Sequence, residues 1–439
     1  MPHFDFDLSV YQARRAALQA AMPGDGLVLL LGADEMFRNA DVDHPFRQTS
    51  DFLYLTGFDE PDAALILTPE STLLLCRPKD ADMETWTGFR WGPDAAREAF
   101  GMDHAACIDD LDSVLAETAS DAGAIGYAFN DARAATKVQH LQAELAKRAR
   151  QGVVPAARHF DLNPLVHEAR LIKSDAELAM MARAGDISAR AHRRAMVTAH
   201  PGIFEYQLQA NIEHEHRSAG SKREAYQAIV AGGDNANTLH YVANNQAIAD
   251  GELVLIDAGC ELNYYAADIT RTFPVNGRFT EAQRRVYQVV LDAHAAALDK
   301  VRPGQAFGDY HDAAVRVLVA GMVELGLLSG EVDALIESGE YRRYYMHRTG
   351  HWLGMDVHDV GRYAVEGESR PLQPGMVLTV EPGLYIRADD ETAPAEYRGI
   401  GVRIEDDVAV TAGEPWVLTG AVPKAIDAVE ALMAEDTWA

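Results

Sequence analysis

Two aspartates near the middle of the chain flank a stretch that has the pattern of a β-hairpin. Asp257 ends an apolar, strand-like run, and Asp268 comes directly before a second one. Asn263, between them, is a residue that tolerates the left-handed backbone angles of a tight turn. A turn at residues 262–263 makes Asp257 and Asp268 direct cross-strand partners, whose Cβ atoms would lie roughly 4.5–5.5 Å apart.

Two ionised carboxylates at that separation repel each other, so one must stay protonated or cations must lie between them. A pair of divalent cations would remove the repulsion, and the two aspartates are therefore candidate metal ligands. The alternative for this stretch alone is an acidic hairpin on the protein surface.

Further side chains downstream could complete such a site. His351 lies between glycines that allow a close backbone approach, Glu381 ends an apolar strand before a Pro-Gly turn, and Glu405 ends a third strand. Each has a simpler explanation, since a lone histidine is often structural and an acidic strand end is often exposed. With Asp257 and Asp268, however, they supply four carboxylates and one imidazole.

This donor set suits two divalent cations of fairly hard character. Mostly oxygen ligands with one nitrogen favour manganese, with cobalt or zinc as alternatives. A pair of such ions can lower the pKa of a shared water and stabilise a tetrahedral intermediate, which is hydrolytic chemistry. His240 and His358 are additional histidines that could act beside them.

The composition limits the partners of the protein. The 439 residues indicate two or three domains at roughly 150 residues each, and a hydrophobic content of 48% is enough for large cores. The net charge of −28 argues against nucleic acid or an anionic membrane surface as a partner. Three cysteines without a CxxC motif, and an acidic N-terminus, predict a cytoplasmic protein rather than a secreted one.

The first part of the chain alternates strand-like and helix-like patterns, which predicts an α/β domain. A helix is expected at Val10–Met22. Strands are expected at Gly26–Gly32, Phe52–Leu55, Ala63–Leu67, Ser71–Cys76 and Ala124–Phe129. Residues 151–165 carry two prolines and no helical period, and we interpret them as a linker, which places the domains at 1–165 and 166–439.

The second part has the patterns of four amphipathic helices, and the rest of it is mainly strands. Ser174 and Glu177 have the spacing of a capping box at the start of the first helix. Helices are expected from there to about His200 and at Phe204–Ser218, Thr280–Val301 and Phe307–Leu327. We therefore predict an α+β domain in which helices pack against a curved, mainly antiparallel sheet.

Several separated motifs, in order, resemble those of the Xaa-Pro aminopeptidases (aminopeptidase P). This family belongs to the creatinase, prolidase and methionine aminopeptidase superfamily, whose catalytic domain has the pita-bread fold. The resemblance covers almost the whole chain. The matching segments are 38–41 and 47–58 in the first domain and 257–260, 267–274, 351–354, 356–359, 380–383 and 401–406 in the second.

The resemblance implies a role for each metal ligand. Asp268 and Glu405 would bridge two metal ions, and Asp257 would bind only one of them. His351 and Glu381 would complete the coordination of the other. Glu381 would also take a proton from the attacking water.

The resemblance also implies substrate contacts. His240 and His358 match histidines that contact the scissile carbonyl and the departing side of the peptide. His347 and Arg403 match residues that line the proline pocket, and Tyr226 matches an aromatic residue of the cleft. Because an Xaa-Pro amide has no N–H, specificity would depend on a pocket for the pyrrolidine ring and on the free amine of the substrate.

Asp41 and Trp86 match residues of the first domain that lie near the active site and reach into the cleft of a neighbouring subunit. The resemblance therefore implies a homo-oligomer, a dimer or a tetramer. Two alternatives to an aminopeptidase remain within the superfamily. One is a prolidase, which cleaves Xaa-Pro dipeptides, and the other is a metal-free creatinase or binding protein.

Overall fold

The computed structural model describes residues 6–435. Contacts within the chain divide it into two compact units, and the division in sequence falls between Arg170 and Leu171. The first unit is α/β and the second is α+β, so the predicted order of fold classes is confirmed.

A six-stranded mixed sheet forms the centre of the first unit. In spatial order its strands are His104–Cys107, Thr72–Cys76, Ala64–Leu67, Gly26–Leu31, Ala124–Tyr127 and Arg158–Asp161. Ala64–Leu67 is antiparallel to both of its neighbours, and the three remaining pairs are parallel. Leucine and isoleucine side chains from the strands pack against flanking helices and form one hydrophobic core.

Helices and short turns surround this sheet. The helices are Leu8–Ala21, Ser50–Thr56, Ala81–Thr87, Pro93–Ala99, Leu111–Thr118, Ala132–Lys147 and Asn163–Leu171. Single turns of 3-10 helix are Ile108–Asp110, Ala119–Asp121 and Ala149–Gln151, and a small hairpin joins Phe37–Asn39 to Val42–Asp43.

The prediction of a strand at Phe52–Leu55 is wrong, because these residues lie inside the helix Ser50–Thr56. All residues from Phe52 to Thr56 are buried, so the stretch shows no amphipathic period that would separate a helix from a buried strand. Gly57 ends the helix in the left-handed conformation, with φ of 69°, and its N–H donates to the carbonyl oxygen of Leu53.

The segment interpreted as a linker also has regular structure. Residues 158–161 form the edge strand of the sheet, in parallel pairing with Ala124–Tyr127, and the helix Asn163–Leu171 follows. The strand is half-exposed and contains Arg158 and His159, so it lacks the apolar run that identifies a buried strand.

The long helices of the second unit lie close to their predicted positions. Ser174 accepts from the Glu177 N–H, and the Glu177 side chain accepts from the Ser174 N–H, which completes the predicted capping box. The helices are Asp175–Thr198, Glu205–Ser218, Glu281–Leu298, Asp309–Glu324, Val332–Ser338 and Ile426–Met433, with 3-10 segments Gly233–Asn237, Glu340–Arg343 and Ala395–Tyr397.

Short strands around a large apolar core make up the rest of this unit. All strand pairings among its described residues are antiparallel, as predicted. The strands are Arg223–Glu224, Ile229–Gly232, Leu253–Asp257, Cys260–Leu262, Tyr265–Ala266, Thr270–Pro274, Ala364–Val365, Glu368–Ser369, Val377–Val380, Gly383–Ile386, Ile400–Arg403, Asp406–Ala409 and Trp416–Val417.

Candidate metal centre

The hairpin that carries the two aspartates has a different register from the predicted one. Its turn is formed by Asn263 and Tyr264, which both have positive φ, 50° and 69°, as a two-residue turn of type I′ requires. Asp257 therefore faces Thr270 rather than Asp268. The partner has moved by two positions, and a shift of two keeps a side chain on the same face of the hairpin. Asp257 and Asp268 accordingly still line one cavity.

This cavity of about 970 Å³ gathers most of the predicted site residues. Its lining includes the five predicted metal ligands Asp257, Asp268, His351, Glu381 and Glu405, together with His240, His347, His358, Arg403 and Tyr226. The two remaining candidates, Asp41 and Trp86, belong to the first unit, where both are exposed.

Three of the predicted ligands form a compact cluster. Asp268, His351 and Glu405 each offer a ligand atom, and these atoms lie within 4.8 Å of one another. The Nε2 atom of His351 is 3.4 Å from Asp268 Oδ2 and 3.8 Å from Glu381 Oε1. Its Nδ1 donates to the carbonyl oxygen of Trp352 at 2.9 Å, which fixes the ring with Nε2 toward the carboxylates.

Asp257 is held in place by two hydrogen-bond donors. The Tyr226 hydroxyl donates to Oδ1 and the Arg403 Nη2 donates to Oδ2, both at 2.6 Å. Arg403 is itself anchored because its Nη1 donates to the Tyr385 hydroxyl at 3.0 Å. A carboxylate offers about four lone-pair directions, so these two bonds orient Asp257 and leave positions for a metal ion.

The charges of the site explain why a cation fits it. Burial, reinforced by neighbouring carboxylates, raises the pKa of Asp257 and Glu405 and raises the pKa of Glu381 to about 7. Asp268 is the exception, since the hydrogen bond and charge of His351 outweigh burial and lower its pKa. Four carboxylates, of which Asp268 and Glu405 are buried and Asp257 and Glu381 half-buried, thus face too little positive charge, and a divalent ion would supply it.

Residues that hold the predicted side chains in place, Thr270, Tyr385 and Asp407, were not predicted from the sequence. The Thr270 hydroxyl donates to Glu405 Oε2 at 2.7 Å, Tyr385 anchors Arg403, and the Asp407 carboxylate accepts the Asp268 N–H at 3.0 Å. The alternation of side chains along a strand could have indicated Thr270, which is two residues from Asp268. The partners of Asp407 and Tyr385 come from other strands.

Metal affinity should increase with pH between 6 and 9. In the metal-free protein His351 has its pKa raised to about 9, because the hydrogen bond and charge of Asp268 outweigh burial, while the pKa of Glu381 is about 7. Both groups must lose their protons to bind a metal ion. Raising the pH through these values removes protons that compete with the metal, and we expect affinity for Mn²⁺ to rise about tenfold or more from pH 6 to pH 8.

The measurement is titration of the metal-free protein with Mn²⁺ by calorimetry at pH 6, 7 and 8. Repeating it in buffers of different ionisation enthalpy counts the protons released. An affinity that is constant or that falls with pH would contradict the assignment of Glu381 and His351 as ligands.

Both parts of the chain match models of known protein families. The family model "Metallopeptidase family M24" matches residues 179–412, and the model "Aminopeptidase P, N-terminal domain" matches residues 11–125. The Xaa-Pro aminopeptidase of Escherichia coli is 45% identical over 429 residues, with 96% of this chain and 97% of the relative covered.

Solved structures show the same likeness. The chain superimposes on Pseudomonas aeruginosa aminopeptidase PepP with a TM-score of 0.96 and 48% identity, covering 98% of each chain. For Escherichia coli aminopeptidase P with the inhibitor Pro-Leu, the TM-score is 0.95 and the identity 44%, again over 98% of each chain.

Proposed function

Because the chain belongs to metallopeptidase family M24 and is a metal-dependent Xaa-Pro aminopeptidase, we propose that its cavity holds two divalent ions and releases the N-terminal residue of peptides with proline in second position. The observation that carries this proposal is the cluster of Asp268, His351 and Glu405, with Asp257 and Glu381 lining the same cavity. A metal-free binding protein is disfavoured because all five ligands are present.

We assign the ligands as the resemblance implies. Asp268 and Glu405 would each serve both ions, Asp257 would hold one of them, and His351 and Glu381 would hold the other. Manganese is the proposed metal, with cobalt or zinc as alternatives. When bound, the pair of ions supplies an activated water and positive charge for the oxyanion of the scissile carbonyl.

The protein's own residues handle the proton and the departing nitrogen. Glu381 lines the cavity with its Oε1 3.8 Å from His351 Nε2, and it would take a proton from the water. The departing proline nitrogen has no hydrogen and must receive one. His358 and His240 line the same cavity and are the proposed donors, and the ring of His358 lies 4.2 Å from that of His351, centroid to centroid.

The proline pocket contains a histidine that is held neutral. Burial and the charge of Arg403 lower the pKa of His347 to about 3, and its Nε2 lies 2.9 Å from the Tyr385 hydroxyl. A neutral ring fixed in this way presents an apolar face, which suits contact with a pyrrolidine ring.

We expect His347→Ala to raise KM about tenfold while kcat changes less than threefold, because a packing contact to the substrate is lost equally in the ground and transition states. Initial rates on Ala-Pro-Ala over a range of concentrations measure both constants. A large fall in kcat with unchanged KM would place His347 in the chemical step instead.

The proposed function is tested with the purified protein, metal-free and reloaded with Mn²⁺. The substrates are an Arg-Pro-Pro peptide like the start of bradykinin, an Ala-Pro-Ala tripeptide and an Ala-Pro dipeptide, with an Ala-Ala-Ala control. We expect metal-dependent release of one N-terminal residue from the first two, detected by mass spectrometry. Cleavage of the dipeptide alone would favour a prolidase, and activity without metal would refute the metallopeptidase mechanism.

The assembly and location of the protein are also proposals. We propose a homo-oligomer, a dimer or tetramer, in which Asp41 and Trp86 serve a neighbouring cleft, and the side chain of Trp86 is 84% exposed in the single chain. We propose a cytoplasmic location, in keeping with three free cysteines. Among residues 6–435, the structure contains no helix with the length and hydropathy needed to cross a bilayer. Light scattering of the protein in solution tests the assembly.

A further inference from the structure

The charges that line the cavity are unevenly distributed. Its acidic residues are the four proposed metal ligands Asp257, Asp268, Glu381 and Glu405, and its two arginines are Arg403 and Arg348. The charge of Arg403 is already paired, because its guanidinium donates to Asp257 at 2.6 Å. Within residues 6–435, the guanidinium of Arg348 has no ion-pair or hydrogen-bond partner, and the residue is exposed. The cavity wall therefore carries one permanent positive charge that the protein does not neutralise.

The backbone that presents Arg348 is held on both sides. Its carbonyl oxygen accepts from His347 Nδ1 at 2.7 Å. On the other side, the Thr349 N–H donates to His311 Nδ1 at 3.3 Å, and the Thr349 hydroxyl lies 2.7 Å from the hydroxyl of Tyr345. The backbone at Arg348 is thus held by hydrogen bonds, whereas its guanidinium is available to donate to a ligand.

Sequence and contacts place Arg348 next to the proposed proline pocket. His347 lines that pocket, and Arg348 follows it in the chain and lines the same cavity. The next residue, Thr349, bonds to His311, which lines the cavity together with Gly308 and Ser369. A peptide with its proline against His347 and its free amine at the acidic metal ligands would bring the residue after the proline within reach of Arg348.

Resting on the proposed function, we propose that Arg348 binds a carboxylate of the departing peptide, beyond the proline. In a tripeptide this group is the C-terminus, and in a longer peptide it is an acidic side chain after the proline. The arginine fork can hold either carboxylate through two parallel hydrogen bonds. Arg348 is therefore a specificity residue that favours short or acidic peptides.

The test compares three substrates with the manganese-loaded enzyme: Ala-Pro-Ala, its C-terminal amide, and Ala-Pro-Asp-Ala-amide. For the wild type we expect KM to be about tenfold lower for the free acid than for the amide, with similar kcat. Arg348→Gln should raise KM for the acid to the level of the amide and leave the amide unchanged. Arg348→Lys should give an intermediate KM, because lysine keeps the charge without the fork.

The third peptide identifies the source of the carboxylate. A low KM for Ala-Pro-Asp-Ala-amide, lost in Arg348→Gln, shows that an acidic side chain is recognised as well as a C-terminus. The matched control is Arg342→Gln, an exposed arginine nearby that does not line the cavity and that should leave all constants unchanged.

Two results would overturn the assignment of Arg348. One is a wild type that does not distinguish the acid from the amide, and the other is a variant that changes KM equally for both. If the wild type cleaves none of the three peptides with metal present, the proposed function itself fails, and the role of Arg348 fails with it.

Discussion

Replacing Glu405 by glutamine should lower kcat/KM by a factor on the order of 10³, near the upper end of the cost of removing one preorganised electrostatic group. Glu405 is 2% exposed, and its carboxylate is placed by the Thr270 hydroxyl at 2.7 Å. Glutamine keeps the size and can still accept from Thr270, so the change removes mainly the negative charge that would bridge two metal ions.

The stability of the same variant separates a metal effect from a folding defect. In the metal-free protein the pKa of the buried Glu405 lies well above its ordinary value, because of burial and the charges of Asp268 and Glu381. Such a group destabilises the folded state as pH rises above its unfolded pKa. Glu405→Gln should therefore leave the metal-free midpoint of thermal unfolding unchanged or higher at pH 8.

The increase in thermal stability on adding Mn²⁺ should, in contrast, be lost. In the wild type a ligand at 100 times its dissociation constant stabilises by about 2.7 kcal/mol. Asp268→Asn should also lose the Mn²⁺-dependent increase, but its metal-free stability should fall, because His351 holds the pKa of Asp268 below its ordinary value. The matched control is Asp333→Asn, since Asp333 is exposed and pairs with Arg316 only at the surface. Wild-type kcat in either site variant, or unfolding of both without metal, would contradict the bridging roles.

Arg271→Met should lower the free energy of unfolding by about 3–5 kcal/mol, the range found when one partner of a buried ion pair is removed. The Nη2 atom of Arg271 donates to Asp406 Oδ1 at 2.7 Å, and both side chains are completely buried. Arg271 also donates through Nη1 to the carbonyl oxygen of Glu405 at 2.5 Å. Its loss leaves a buried carboxylate with less positive charge around it and frees the backbone of Glu405, a proposed metal ligand.

Other groups around Asp406 should reduce the loss in the free energy of unfolding without abolishing it. His294 Nε2 lies 3.1 Å from Asp406 Oδ2, and the Lys424 ammonium donates a hydrogen bond to the same oxygen. Arg271 and its neighbours hold the pKa of Asp406 well below its ordinary value despite burial. The pair therefore stabilises the fold fully above the unfolded pKa of the aspartate, and this contribution is lost as pH falls through the lower folded value.

Urea denaturation at pH 7 of metal-free wild type and variant measures the effect. Arg316→Met is the control, because the Arg316–Asp333 pair is exposed and should contribute less than about 1 kcal/mol. The double variant Arg271→Met, Asp406→Asn should recover part of the loss, since the uncompensated charge is then absent. A loss from Arg271→Met no larger than that from Arg316→Met would show that the buried network carries little of the stability.

The sequence by itself predicted acidic and histidine residues that line one cavity in the structure. Asp257, Glu381 and Glu405 lie at or next to strand ends. Each follows a mainly apolar run, and such a pattern can be recognised in the sequence without the structure. The capping box at Ser174 was equally predictable, because a cap depends on residues only three positions apart. The fold class of the first unit followed from the local alternation of strands and helices, and that of the second from long amphipathic helices accompanied mainly by strands.

The tertiary structure alone decided how these residues meet. The register of the hairpin depends on which two residues have positive φ. Tyrosine rarely adopts positive φ, so its sequence position gives no sign that Tyr264 belongs to the turn. The helix Ser50–Thr56 could not be distinguished from a buried strand, because burial on all sides removes the period that separates them. The contacts of Asp407, Tyr385 and Arg271 join strands far apart in sequence, and side chains that meet only after folding leave no spacing to detect. Residue type is a local property of the chain, whereas proximity between distant strands is created by packing, and the geometry of the site depends on that packing.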